Sequence, residues 1–263
     1  MQGALTAGGV IGPLFGGLLA EIFGMRMSFF LAAGALFLNF LILVFFIKEP
    51  PDTDTPTEAA KAAAPAEEGS LWHHPLIRNM LIFAVFVQMV ILIIQPVLTT
   101  YVTELAGHLD NLIFISGLVF SLGGFASAVS SPLWGRFGQH HGFHTSLTYA
   151  LFATSLVFFL QAVPDDLYYF AATQFAIGLF FSGIYPSINA ILAENTTAHM
   201  KGRVFGLLFS AQQIGSMAGP LLGGVIATFV GIKFVFVLAG VIVLIMSIFA
   251  RRQQKIAMRQ YHP

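Results

Sequence analysis

A chain of 263 residues that is 57% hydrophobic and only 9% charged lacks the polar material to coat a water-facing surface, since soluble domains carry roughly 25% charged residues. Its zero formal net charge supplies no global field for nucleic acid, and its lack of cysteine excludes a disulfide framework, a thiol nucleophile and thiolate metal sites. A mean hydropathy of +0.82 points instead to a lipid-immersed, all-α protein.

Apolar runs long enough to cross a bilayer, about 17–25 residues, lie at 4–20, 27–47, 79–103, 111–133, 145–163, 167–193, 204–230 and 234–250. No Asp, Glu, Lys, Arg or His falls inside any of them. The first run follows Met1 without a basic segment, so no cleavable signal peptide is expected. It carries Gly8, Gly12, Pro13, Gly16 and Gly17. After the second run, residues 49–76 form a Pro-, Ala- and acid-rich stretch, which predicts a disordered linker.

Farther along, the third run holds Gln88 and Gln95, seven apart and so on one helix face. The fourth is rich in small residues, at Gly117, Gly123, Gly124, Ala126, Ser127 and Ala128, and a loop with Gly135, Arg136, Gly138 and Gly142 follows it. The sixth contains Gln174, Tyr185 and Asn189, with Pro186 freeing the carbonyl of Ser182. The seventh has Gln212 and Gln213 ahead of Gly215, Gly219, Pro220, Gly223 and Gly224. These uncharged amides, set among Phe and Met, are the substrate-cavity candidates. They suit a small apolar or cationic drug-like molecule, which needs apolar surface with scattered hydrogen-bond partners. The competing structural role is ordinary interhelical hydrogen bonding.

If the runs alternate across the membrane, one side receives Lys48, Lys61, Arg78, Arg136, Lys201, Arg203, Arg251, Arg252, Lys255 and Arg259. The other receives only Arg26 and Lys233. The positive-inside rule makes the first side cytoplasmic, with both termini and the linker on it.

The sequence also repeats. Gly8-xxx-Gly12-Pro13-xx-Gly16-Gly17 recurs as Gly215-xxx-Gly219-Pro220-xx-Gly223-Gly224, at a constant offset of 207. The likeness continues, with Phe23-Gly24-Met25-Arg26 over Val230-Gly231-Ile232-Lys233 and Lys48 over Lys255. Such duplication predicts a repeat of six spans, of which the first copy here supplies only its last two. The expected division is therefore 1–48 (two helices of an N-terminal half), the linker at 49–76, a six-helix C-terminal half at 77–252, and a cytoplasmic tail at 253–263.

The Gly-Pro-Gly-Gly pattern in a fifth span resembles the antiporter motif of drug–proton antiporters in the major facilitator superfamily, and Glu104-Leu105-Ala106-Gly107, Ile184-Tyr185-Pro186 and Gly202-Arg203-Val204-Phe205 look like its bacterial multidrug efflux members. The resemblance covers nearly the whole chain outside the linker. It implies a partial bundle, about eight transmembrane helices of twelve, in the bacterial cytoplasmic (inner) membrane. It also implies a secondary transporter exporting drugs by alternating access, with no catalytic residue, metal or cofactor and with the lipid bilayer as its surroundings. The glycine motifs would be gating and helix-packing elements. Residues Gly135–Gly142 are a degenerate form of the family's loop motif, with Gln139 in place of an acid. Gln174 falls where related transporters can carry an embedded Arg.

In the family the fifth helix packs on the eighth and the eleventh on the second. The resemblance thus leaves the Gly215–Gly224 face without a partner here. An isolated chain would then be unstable, or completed by a separate polypeptide carrying the missing N-terminal helices. The proton carrier is likewise expected outside these eight spans, which hold no titratable group from the carboxylate, histidine or cationic classes. Readings left open are an inactive scaffold or decayed transporter and a sugar or metabolite facilitator of the same superfamily. An enzyme is not expected, because no span gathers acid, base or metal ligands. His140, His141 and His144, like His73 and His74, read as loop histidines, and Asp165-Asp166 as a solvated turn.

Overall fold

The computed structural model describes residues 2–46, 74–106, 112–163 and 166–261. The linker expected at 49–76 falls almost wholly outside them. Within the described residues the regular elements are helices: α1 (Gln2–Phe46), α2 (Pro75–Ala106), α3 (Leu112–His141), α4 (Phe143–Gln161), α5 (Leu167–Phe181), α6 (Ile184–Glu194), α7 (Lys201–Phe229) and α8 (Ile232–Tyr261). A 3-10 turn, Ala198–Met200, precedes α7.

Helix α1 breaks at Gly24, whose φ of 77° and ψ of 159° lie outside helical space. That region is essentially reserved for glycine, because a Cβ would clash with the backbone. Each arm is roughly 33 Å long at 1.5 Å per residue, close to the ~30 Å hydrocarbon core. By length and hydropathy alone, six helical stretches among the described residues are fit to cross a membrane. Helix α1 enters that count once, and α7 falls below it because its glycines, serines and paired glutamines lower its hydropathy. Counting both arms of α1 and adding α7 recovers the eight runs.

Helices α5 and α6 form one span, Leu167–Glu194, interrupted at Ser182 and Gly183. Pro186 has no N–H for the carbonyl of Ser182, so the ladder lapses there. Trp134 from α3 occupies the break. Its Nε1 donates to the carbonyl of Leu179 at 2.7 Å, a carbonyl that Gly183 would serve in a regular helix but leaves for Phe180. A Cβ on Gly183 would sit 2.5 Å from the Trp134 ring.

The buried core runs between α2, α4, α6 and α8, through residues such as Ile93, Leu151, Ile188 and Val243. Tyr101 of α2, Phe170 of α5 and Phe236 of α8 close one end of it, with ring centroids 5.1–5.8 Å apart. Helix α1 packs on α3 and exposes most of its apolar side chains, as a lipid-facing helix does.

Three expectations are corrected. The Gly215–Gly224 face has a partner: Gly215, Gly219 and Gly223 are buried against the α2 backbone at Val85, Met89 and Ile93. Both helices present these positions at four-residue spacing, so the ridges interlock and only glycine leaves room. Gly224 points away, with nothing within 4 Å of an added Cβ. In the first copy, Gly12 and Gly16 also meet nothing, although α1 does pack on α3. The expected pairing of α1 with the small-rich α3 does form, and part of that small-residue set also serves α5, since a Cβ on Gly178 would collide with the Gly123 carbonyl and crowd Ala126. Finally, Gly135, Arg136 and Gly138 are not in a loop. Helix α3 continues through His141, and the chain reverses at Gly142, with φ 86°.

Candidate substrate cavity

A cavity of about 520 Å³ opens between α2, α3 and α5, with Phe158 of α4 also on its wall. Two predicted amides, Gln95 and Gln174, line it together with Ile91, Ile94, Leu98, Phe120, Ile177 and Phe181. Among the described residues its lining carries no charged side chain. The α3–α5 crossing builds one side. Gly123 and Gly178 let the backbones touch, and Ser127 Oγ donates to the Gly178 carbonyl at 3.0 Å. Ser130 and Ser182 pair at 2.8 Å near the helix break. A chemically quiet chamber of apolar walls with two amides can hold a compact lipophilic molecule and orient it by one or two hydrogen bonds.

The other candidates separate from this chamber. Gln88 accepts a hydrogen bond from the Tyr185 hydroxyl at 2.5 Å, tying α2 to α6. Asn189, Gln212 and Gln213 do not line the cavity, and Gln213 is exposed. A second cavity of about 740 Å³ lies among the ends of α2 and α7 and the start of α8, lined by Thr100, Glu104, Thr228 and Lys233; it holds none of the predicted amides, and Gly224 of the glycine motif lies on its wall.

Sequence reasoning passed over two residues. Gln161, at the end of α4, donates through Nε2 to Gln174 Oε1 at 2.9 Å. Trp134 stitches the α5–α6 break beside the cavity. The available signal for Gln161 was its amide facing another across a helix hairpin. Asp166 proves to be an N-cap, its carboxylate accepting from the Tyr169 N–H. His141 stacks on Phe137.

Comparison with known proteins adds the family. The model of the Major Facilitator Superfamily matches this chain twice, over residues 1–116 and 104–256. The chain belongs to the Major Facilitator Superfamily. It is 32% identical over 255 residues to the multidrug resistance proteins MdtG of Salmonella arizonae, Salmonella paratyphi B and Salmonella newport. The match covers 94% of this chain and 62% of each relative. The chain therefore spans less than two thirds of the length of these relatives. As a member of this superfamily it is a multi-pass membrane protein of the transporter class, set in a lipid bilayer.

Proposed function

We propose that this chain is the larger part of a secondary transporter that exports small lipophilic molecules by alternating access in the bacterial cytoplasmic membrane. The carrying observation is the uncharged chamber between α2, α3 and α5, furnished with Gln95 and Gln174. The likeness to MdtG proteins, named for multidrug resistance, supports the same reading. In this reading Gln95 and Gln174 contact substrate, while Gln88 and Tyr185 hold α2 and α6 in register for it. The glycine face at Gly215, Gly219 and Gly223 serves as a close-packed pivot against α2. The eight apolar runs hold no carboxylate, histidine or cationic side chain for a proton to ride, so in this reading coupling to a proton gradient relies on first-half helices like those of the relatives.

The test is efflux of Nile red, a neutral lipophilic dye, from bacteria lacking their own efflux pumps. One strain expresses the chain alone and another the chain joined behind the N-terminal third of an MdtG relative. Faster, uncoupler-sensitive efflux from the joined form, lost in Gln95→Leu/Gln174→Leu, is expected. Efflux from the joined form that is indifferent to the double substitution removes the chamber from the mechanism. No efflux from either form leaves the scaffold reading standing.

A further inference from the structure

Gln161 is 1% exposed, and its Oε1 has no hydrogen-bond partner. An unpaired buried acceptor costs stability, so the way this amide is turned calls for a physical reason. Its Nε2 donates to Gln174 Oε1. The reverse pairing would leave both N–H groups of Gln161 unpaired, against one N–H and the oxygen in the observed pairing, and buried N–H groups go unpaired more rarely than carbonyls. The observed polarity is the less costly one, and it has a consequence one residue away. With one lone pair of its oxygen held by α4 and that oxygen turned toward Gln161, Gln174 keeps its Nε2 wholly unengaged as the group to offer the chamber it lines.

We propose that Gln161 is a positioning residue that locks the Gln174 amide as a hydrogen-bond donor, making the chamber selective for neutral apolar molecules that carry a carbonyl or ether oxygen. This rests on the chamber being the substrate site. Gln95, on the opposite wall, is exposed and keeps both ends of its amide available to either kind of partner. Discrimination between acceptors and donors therefore falls to Gln174. No charged group on the wall competes with that donor for an oxygen ligand.

The experiment uses the full chain in membrane vesicles, photolabelled with benzophenone, and maps label on Phe158 and Ile177 by mass spectrometry. Competitors are fluorenone, fluorene and carbazole, which share one tricyclic frame and differ by a carbonyl, a methylene or an N–H. Fluorenone should suppress labelling at about tenfold lower concentration than fluorene, as one hydrogen bond in an apolar site warrants, and carbazole should do no better than fluorene. In Gln161→Met the advantage of fluorenone should fall to near parity while carbazole gains, because a freed Gln174 can turn its oxygen inward. A purely structural role would weaken all three competitors together and leave their order intact, which overturns the proposal. So does a wild-type protein without carbonyl preference, a contrast that needs no variant. If Gln161→Met does not reach the membrane, Gln174→Met tests the donor itself: the advantage of fluorenone should vanish with no gain for carbazole, and an advantage that survives overturns the proposal. Absence of label from Phe158 and Ile177 in the wild type sinks the chamber reading as well, whereas label without carbonyl preference sinks this proposal only.

Discussion

A hydroxyl sealed away from water with nothing to bond is a local cost, and Thr154 on α4 has that status: it is fully buried and its Oγ1 has no partner. Thr154→Val keeps the shape and removes the unsatisfied atom. It should raise stability in detergent by about 1 kcal/mol, read as a higher thermal unfolding midpoint, and a lower midpoint would mean that the hydroxyl is engaged after all. The glycines divide as sharply. Gly219→Ala must force its methyl to within 2.7 Å of the Met89 carbonyl, whereas Gly12→Ala and Gly224→Ala meet open space. The first should cost about 1–3 kcal/mol, and the other two should leave the unfolding midpoint no lower and raise it slightly, since Ala suits a helix interior better than Gly. Gln95 and Gln174 were legible because an amide stands out within an apolar run. Gln161 was not, because an amide two residues from the end of a run looks interfacial, and only the hairpin geometry brings it to Gln174.

At the scale of the helix, the sixth span shows how a lapse in one ladder is repaired from another. Pro186 announces the lapse in sequence, since it cannot serve Ser182. It does not announce that Leu179 would be the carbonyl captured, by the indole of Trp134 and by Ser182 Oγ at 3.1 Å. That outcome depends on α3 continuing past its apolar run, which the sequence presented as a loop because Gly135, Gly138 and Gly142 crowd it. Trp134→Phe keeps the ring and deletes the donor. It should cost about 0.5–1.5 kcal/mol, and the loss should shrink when combined with a substitution that closes the break, Pro186→Ala. Strict additivity of the two in a double-mutant cycle would show that the indole and the break are independent.

For the molecule as a whole, the helices and their order could be read from hydropathy, whereas partner choice could not. Glycine spacing marks a face for close approach but does not say which helix arrives; α2 met the second glycine face, and no described residue comes within 4 Å of a Cβ added at Gly12 or Gly16. Sidedness is directly testable because the chain has no native cysteine to confuse labelling. Single cysteines at Lys201 and Lys233 should react from opposite faces of sealed vesicles, with Lys201 on the cytoplasmic side. Reaction of both from one face would undo the charge-based orientation.

If both arms of α1 cross the membrane, everything downstream takes its orientation from the backbone break at Gly24. Straightened through Gly24, the 45 residues of α1 would make a rod of roughly 68 Å, more than twice the oily thickness available. Such a rod could traverse once, with its surplus stranded in water, and every later helix would then emerge on the wrong face. The ten cations that the charge pattern assigns to one side would then be expected on the other. A residue with no neighbour within reach of a Cβ thereby sets the parity of the whole fold.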